Sequence, residues 1–121
     1  MRKTLLMRAL LFAVSIAPLV CEQLALAEVS AQRVEVLAKR FEFLPADITV
    51  KKGEAVDLVL KSEDVAHGLR FRELNVEVNA GKGGTGKVHF VPNKTGTFIG
   101  HCSVFCGAGH GSMTLTLHVV D

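Results

Sequence analysis

From position 34 onward, apolar and polar residues alternate with a period of two, and this limits the chain to β-strands more tightly than any other feature. The stretches are VEV at 34–36, DITV at 47–50, VDLVL at 56–60, VEV at 76–78, KVHFV at 87–91 and TLTLHVV at 114–120. Successive strand side chains point to opposite faces, so each stretch offers one apolar face to a core. Turn chemistry separates them: Pro45, KKGE at 51–54, NAGKGGTG at 79–86 and PNKTG at 92–96. No helical stripe of useful length interrupts the pattern. About seven short strands in so short a chain predict an all-β fold, an antiparallel Greek-key β-sandwich. The glycine-rich run 81–86 lacks the GK[ST] ending of a phosphate loop and no helix follows it, so it reads as a strand connection.

The amino terminus follows other rules. MRKTLLMR carries three positive charges and no acid, and it leads into an apolar run from Ala9 to Val20, broken by Pro18. That run is short of the roughly 20 residues a membrane-crossing helix needs. The small-x-small segment Ala25, Leu26, Ala27 then supplies a cleavage site, so residues 1–27 read as a helical signal peptide and the mature domain as 28–121, beginning at Glu28. Rival readings are an uncleaved anchor, or a lipid on Cys21, against which stands the bulky Val20 before it. Cleavage removes Arg2, Lys3, Arg8 and Glu22, and the 14 basic and 12 acidic residues of the whole chain fall to equal numbers. A chain so balanced gives no reason to expect nucleic acid as a partner, and no integral membrane span is expected in the mature chain. The expected location is periplasmic, or otherwise exported.

Cleavage also removes Cys21 and two of the three methionines, leaving Cys102, Cys106 and Met113 within twelve residues of one another. The segment HCSVFCGAGHGSM, 101–113, adds two histidines. In an exported protein two cysteines default to a disulfide. A Cys102–Cys106 bridge would close a very short loop, stabilise by only about 2 kcal/mol in the chain-entropy model, and leave His110 and Met113 unexplained. The competing pattern is Cys-x3-Cys-x3-His-x2-Met, with Gly107, Gly109 and Gly111 allowing a tight fold of the backbone. Thiolate, imidazole and thioether together form a soft donor set that favours copper. Zinc has little use for a thioether, iron–sulfur clusters usually want four thiolates, and the CxxCH spacing of haem attachment is absent.

One loop rarely encloses a metal, so a further ligand is needed from elsewhere. His67, in SEDVAHGLRF, lies where a polar loop enters a strand and is the candidate. His89 and His118 alternate with inward apolar residues (Val88 and Phe90; Leu115, Leu117 and Val119) and are expected to face solvent. His101 should point away from Cys102, toward the surface or the surroundings of the site.

At this point the chain resembles a cupredoxin, and within that family it is most similar to the binuclear copper A domain of cytochrome oxidase subunit II and nitrous oxide reductase. FEFLPADITVKKGEAVDL resembles the opening strands, DVAHG the segment of the first histidine, LNVEVNAGKGG and VPNKTGTF the middle strands, and CSVFCGAGHGSM the ligand loop. The resemblance implies that Cys102 and Cys106 bridge two copper ions through their thiolates. His67 and Met113 would complete one copper; His110 would complete the other, with the main-chain carbonyl of Val104 as a weak ligand. It further implies a periplasmic electron-transfer protein whose redox partner is a c-type cytochrome or a terminal oxidase.

The chain departs from that family's pattern where valine stands at 104 in place of a common acidic residue, and it has neither Trp nor Tyr. The membrane hairpin of the oxidase subunit has no counterpart, so a soluble relative is expected. Other readings are a mononuclear cupredoxin using His67, Cys106, His110 and Met113, a copper-delivery protein for oxidase assembly, and a disulfide-stapled binding module. No general base pairs with a nucleophile, so the domain alone is expected to carry electrons and not to be an enzyme.

Overall fold

The computed structural model describes residues 30–121 together with Ser15. The signal peptide 1–27, its cleavage before Glu28 and the lipidation reading of Cys21 lie outside the described residues. Nine strands are formed: β1 (Gln32–Lys39), β2 (Glu42–Leu44), β3 (Asp47–Lys51), β4 (Val56–Ser62), β5 (His67–Phe71), β6 (Val76–Ala80), β7 (Thr85–Phe90), β8 (Gly96–His101) and β9 (Thr114–Val120). Two single 3₁₀ turns, Arg72–Leu74 and His110–Ser112, are the only helical pieces among the described residues. They build two packed sheets, ordered β2-β1-β4-β7 and β3-β9-β8-β5-β6.

The alternation predicts the inner faces correctly. In β3 Ile48 and Val50 are buried between exposed neighbours, and in β9 Leu115, Leu117 and Val119 are buried while His118 is not. In β7 Val88 and Phe90 pack against the core and His89 is exposed. Two pairings depart from an all-antiparallel sandwich: β1 lies parallel to β4 and β3 parallel to β9. After β2 the chain leaves the first sheet to lay β3 in the second, and the turn at Lys51–Glu54, with Gly53 at φ +80°, sends it back into β4. It therefore re-enters the first sheet in the direction of β1, and strands related by a crossover pair in parallel.

This topology fixes one end of the sandwich. β8 and β9 are antiparallel neighbours with His101 opposite Thr114, so 102–113 is the loop of a long hairpin. Its base is held one rung further by the Cys102 N–H donating to the Met113 carbonyl, 3.1 Å. β5 flanks β8 on its other side, antiparallel, so the first residue of β5 emerges beside the end of β8. That residue is His67.

Candidate metal centre

Cys102, Cys106 and Met113 belong to the same apolar cluster as the core strands, and His67 is fully buried beside them. The Cys102 sulfur lies 3.8 Å from the Cys106 sulfur, 3.9 Å from His67 Nδ1 and 3.2 Å from the Val104 carbonyl oxygen. Around Cys106 the His110 Nδ1 stands at 3.7 Å and the Met113 Sδ at 3.8 Å. All six positions singled out in the sequence thus meet at one end of the sandwich. The two cysteines stand as separate thiols, not as a bridge. His110 is half-buried, its ring 5.6 Å from that of Phe105, so among the donor side chains of His67, Cys102, Cys106, His110 and Met113 it is the one that reaches toward the surface. His89, His101 and His118 take no part: His89 contacts Asp57 at 2.7 Å, His118 contacts Asp47 at 3.1 Å, and His101 is exposed.

The local sequence explains the convergence. Gly68 lets the loop close over β5: a Cβ there would lie 2.2 Å from Ser103 Oγ, and the Ser103 N–H donates to the Gly68 carbonyl. The loop then curls back through hydrogen bonds from His110 N to Gly107 O and from Met113 N to His110 O. Gly107 has φ +139°, a backbone state that side-chain-bearing residues rarely adopt.

Three residues that the sequence did not single out complete the surroundings. Asp64 Oδ1 lies 2.6 Å from His67 Nε2, so Nε2–H can donate to the carboxylate and leave the Nδ1 lone pair facing the sulfurs. Asp64 also accepts from the main-chain N–H of Val65 at 2.7 Å and of Arg40 at 2.8 Å. The Arg40 N–H is the largest cause holding the Asp64 carboxyl at about 2, with His67 and the Val65 N–H adding to it against the cost of burial. Arg40 Nε donates to the Cys106 carbonyl at 3.0 Å, and the Phe41 ring lies against Gly107 and Gly109. An acid three residues before a buried histidine is a signal the sequence does carry; nothing in it links positions 40 and 41 to the loop.

The donor set is soft and buried, and His67 Nδ1 and both cysteine sulfurs lie within 4.8 Å of one another. Burial, with the neighbouring Cys102 adding to it, pushes the Cys106 thiol up to about 11. Such a thiol is easily ionised only by something positive placed against it. Two thiolates and imidazole alone would suit zinc or copper; the buried Met113 thioether beside them favours copper, and such soft donors suit calcium and magnesium poorly.

The fold is that of a cupredoxin domain, and the donors gathered at its end are a set suited to copper. A family model described as cytochrome c oxidase subunit II, periplasmic domain, matches residues 15–120, and the chain belongs to that family. It is 32% identical over 82 residues to cytochrome c oxidase subunit 2 of Myxine glutinosa, covering 66% of this chain and 36% of that protein. The chain thus spans about a third of that relative's length. Among solved structures it resembles a chain of a heme-copper terminal oxidase dimer, with TM-score 0.66, 29% identity, and coverage of 78% of this chain and 68% of that one. The fold also matches the periplasmic domain of cytochrome oxidase subunit II of Bradyrhizobium japonicum, with TM-score 0.67, 20% identity, and coverage of 74% and 84%. The family is a periplasmic one, and no helix among the described residues is long and apolar enough to cross a membrane.

Proposed function

We propose that the domain is a periplasmic electron carrier holding two copper ions. Cys102 and Cys106 would hold both ions through their thiolates, with His67 and Met113 serving one and His110 with the Val104 carbonyl serving the other, as the family resemblance implies. The observation that supports two ions is that each sulfur has its own imidazole, His67 at Cys102 and His110 at Cys106, with the two sulfurs only 3.8 Å apart; which ion takes Met113 and which the Val104 carbonyl follows the family resemblance. A mononuclear cupredoxin site of the two-histidine, one-cysteine type would use only one of these cysteines. When bound, such a pair supplies one-electron storage in which the charge is shared over two metals. The chain's part is to keep the donors still. His67 is held by Asp64, and Met113 and both cysteines are buried in the core cluster, so the donors have little room to move on a change of charge. The burial of His67, Cys102, Cys106 and Met113 limits how much water can reorganise around the site, and the half-buried His110 gives a route to the surface.

The partner in this reading is a c-type cytochrome or a terminal oxidase, and the domain passes electrons without transforming a substrate. The test is metal content and the paramagnetic spectrum of the copper-loaded protein. Two coppers per chain and one unpaired electron coupled to both nuclei are expected, and Cys102→Ser should abolish that coupling. One copper per chain, or a coloured site that survives Cys102→Ser unchanged, overturns the proposal in favour of a mononuclear site.

A further inference from the structure

We propose that Arg40 is a positioning residue for this metal centre, setting the spacing between the segment that carries His67 and the loop that carries Cys106. The proposal rests on the copper-site reading above. Arg40 lies in the two-residue turn between β1 and β2, remote in sequence from both segments, yet it is bonded to each. Its main-chain N–H holds Asp64, the acid that orients His67, and its Nε–H holds the carbonyl of Cys106 itself. No backbone N–H among the described residues donates to that carbonyl, so the guanidinium is its hydrogen-bond partner. Arg40 forms no ion pair with a carboxylate among the described residues, so the side chain is not tied up in a surface salt bridge. The ring of the next residue, Phe41, rests on Gly107 and Gly109 and limits the same loop from outside.

A donor whose loop is already held in place by a hydrogen bond loses less freedom when a metal binds. Arg40 acts through Cys106 and Asp64 and touches no metal donor atom itself. The main-chain contact survives any substitution that keeps the N–H, so side-chain variants isolate the link to Cys106.

Gln carries a neutral N–H donor at the same number of bonds from Cα as the Arg Nε, whereas Met has similar length and no donor. In the purified protein without copper, amide hydrogen exchange over residues 103–110 should rise about tenfold or more in Arg40→Met and stay near wild type in Arg40→Gln. In the loaded protein, transfer of copper to a competing Cu(I) chelator should show affinity falling about 10- to 100-fold in Arg40→Met and largely recovered in Arg40→Gln. Wild-type behaviour of Arg40→Met in both measurements overturns the proposal, as does equal loss in the two variants, which would make charge the cause and not the hydrogen bond. If the wild-type protein holds no copper, the metal reading fails; the exchange measurement then still decides whether Arg40 fixes the loop.

Discussion

The imidazole of His67 is held from both sides, with Nε2 2.6 Å from Asp64 Oδ1 and Nδ1 3.9 Å from the Cys102 sulfur. A carboxylate that accepts from one ring nitrogen fixes the tautomer and leaves the other nitrogen as the donor for a metal. An amide in place of Asp64 presents a weaker acceptor and can turn its NH₂ toward the ring. Asp64→Asn should weaken copper binding about 10- to 100-fold with the fold intact, read by chelator competition. Undiminished affinity would mean that the packing around His67 suffices to aim it.

The same carboxylate gives the copper-free domain an acid-sensitive element. Its value in the folded protein, about 2, lies below the ordinary 3.8, chiefly because the Arg40 N–H donates to the charged form. A depressed carboxyl stabilises the fold fully above its unfolded value, and that contribution fades as pH falls toward the folded value. Denaturant unfolding of the copper-free protein should therefore lose stability between about pH 4 and pH 2. In Asp64→Asn that part of the pH dependence should disappear, whereas a curve parallel to wild type would assign the acid sensitivity to other carboxyls.

Gly109 has φ −88° and ψ 8°, which alanine can adopt, so any penalty there comes from space and not from backbone strain. A Cβ at 109 would lie 2.4 Å from Phe41 Cγ and 2.5 Å from Phe41 Cδ2. Gly109→Ala should cost about 1–3 kcal/mol by forcing the ring or the loop aside. Combining it with Phe41→Ala should recover part of that loss. A non-additive double-mutant cycle by chemical denaturation is the expected outcome, and strict additivity would show that the loop moves without meeting the ring.

How far the sequence could be read follows from the range of the interactions involved. Period-two stretches such as TLTLHVV report on the strand that contains them, and both the sandwich and its inner faces were legible. β2, three residues long, has too few positions to show a period, and the parallel pairing of β1 with β4 depends on where the chain crosses between sheets. His67 was legible as a loop–strand junction, and Cys102, Cys106, His110 and Met113 as soft residues crowded together, whereas Val104 came only from the family resemblance. Arg40 and Phe41 were not. Arg40 is 24 residues from Asp64 and 66 from Cys106, and only folding brings such contacts together.

Phe105 is 77% exposed, the most exposed large apolar residue among the described ones, and its ring lies 5.6 Å from that of His110. A benzyl group left in water contributes little to folding, so Phe105→Ser should change stability by no more than about 0.5 kcal/mol. In the electron-carrier reading proposed above, this ring beside the half-buried His110 is where a redox partner would make contact. An aromatic anchor at the centre of such a contact typically carries more than about 1 kcal/mol of binding. With a c-type cytochrome as partner at sub-saturating concentration, electron exchange followed by stopped-flow absorbance should slow about fivefold or more in Phe105→Ser. Copper content and reduction potential should stay at wild-type values, because the ring is not among the donors. A changed potential with an unchanged rate would place the role of Phe105 in shielding His110, and the docking face would have to be sought elsewhere.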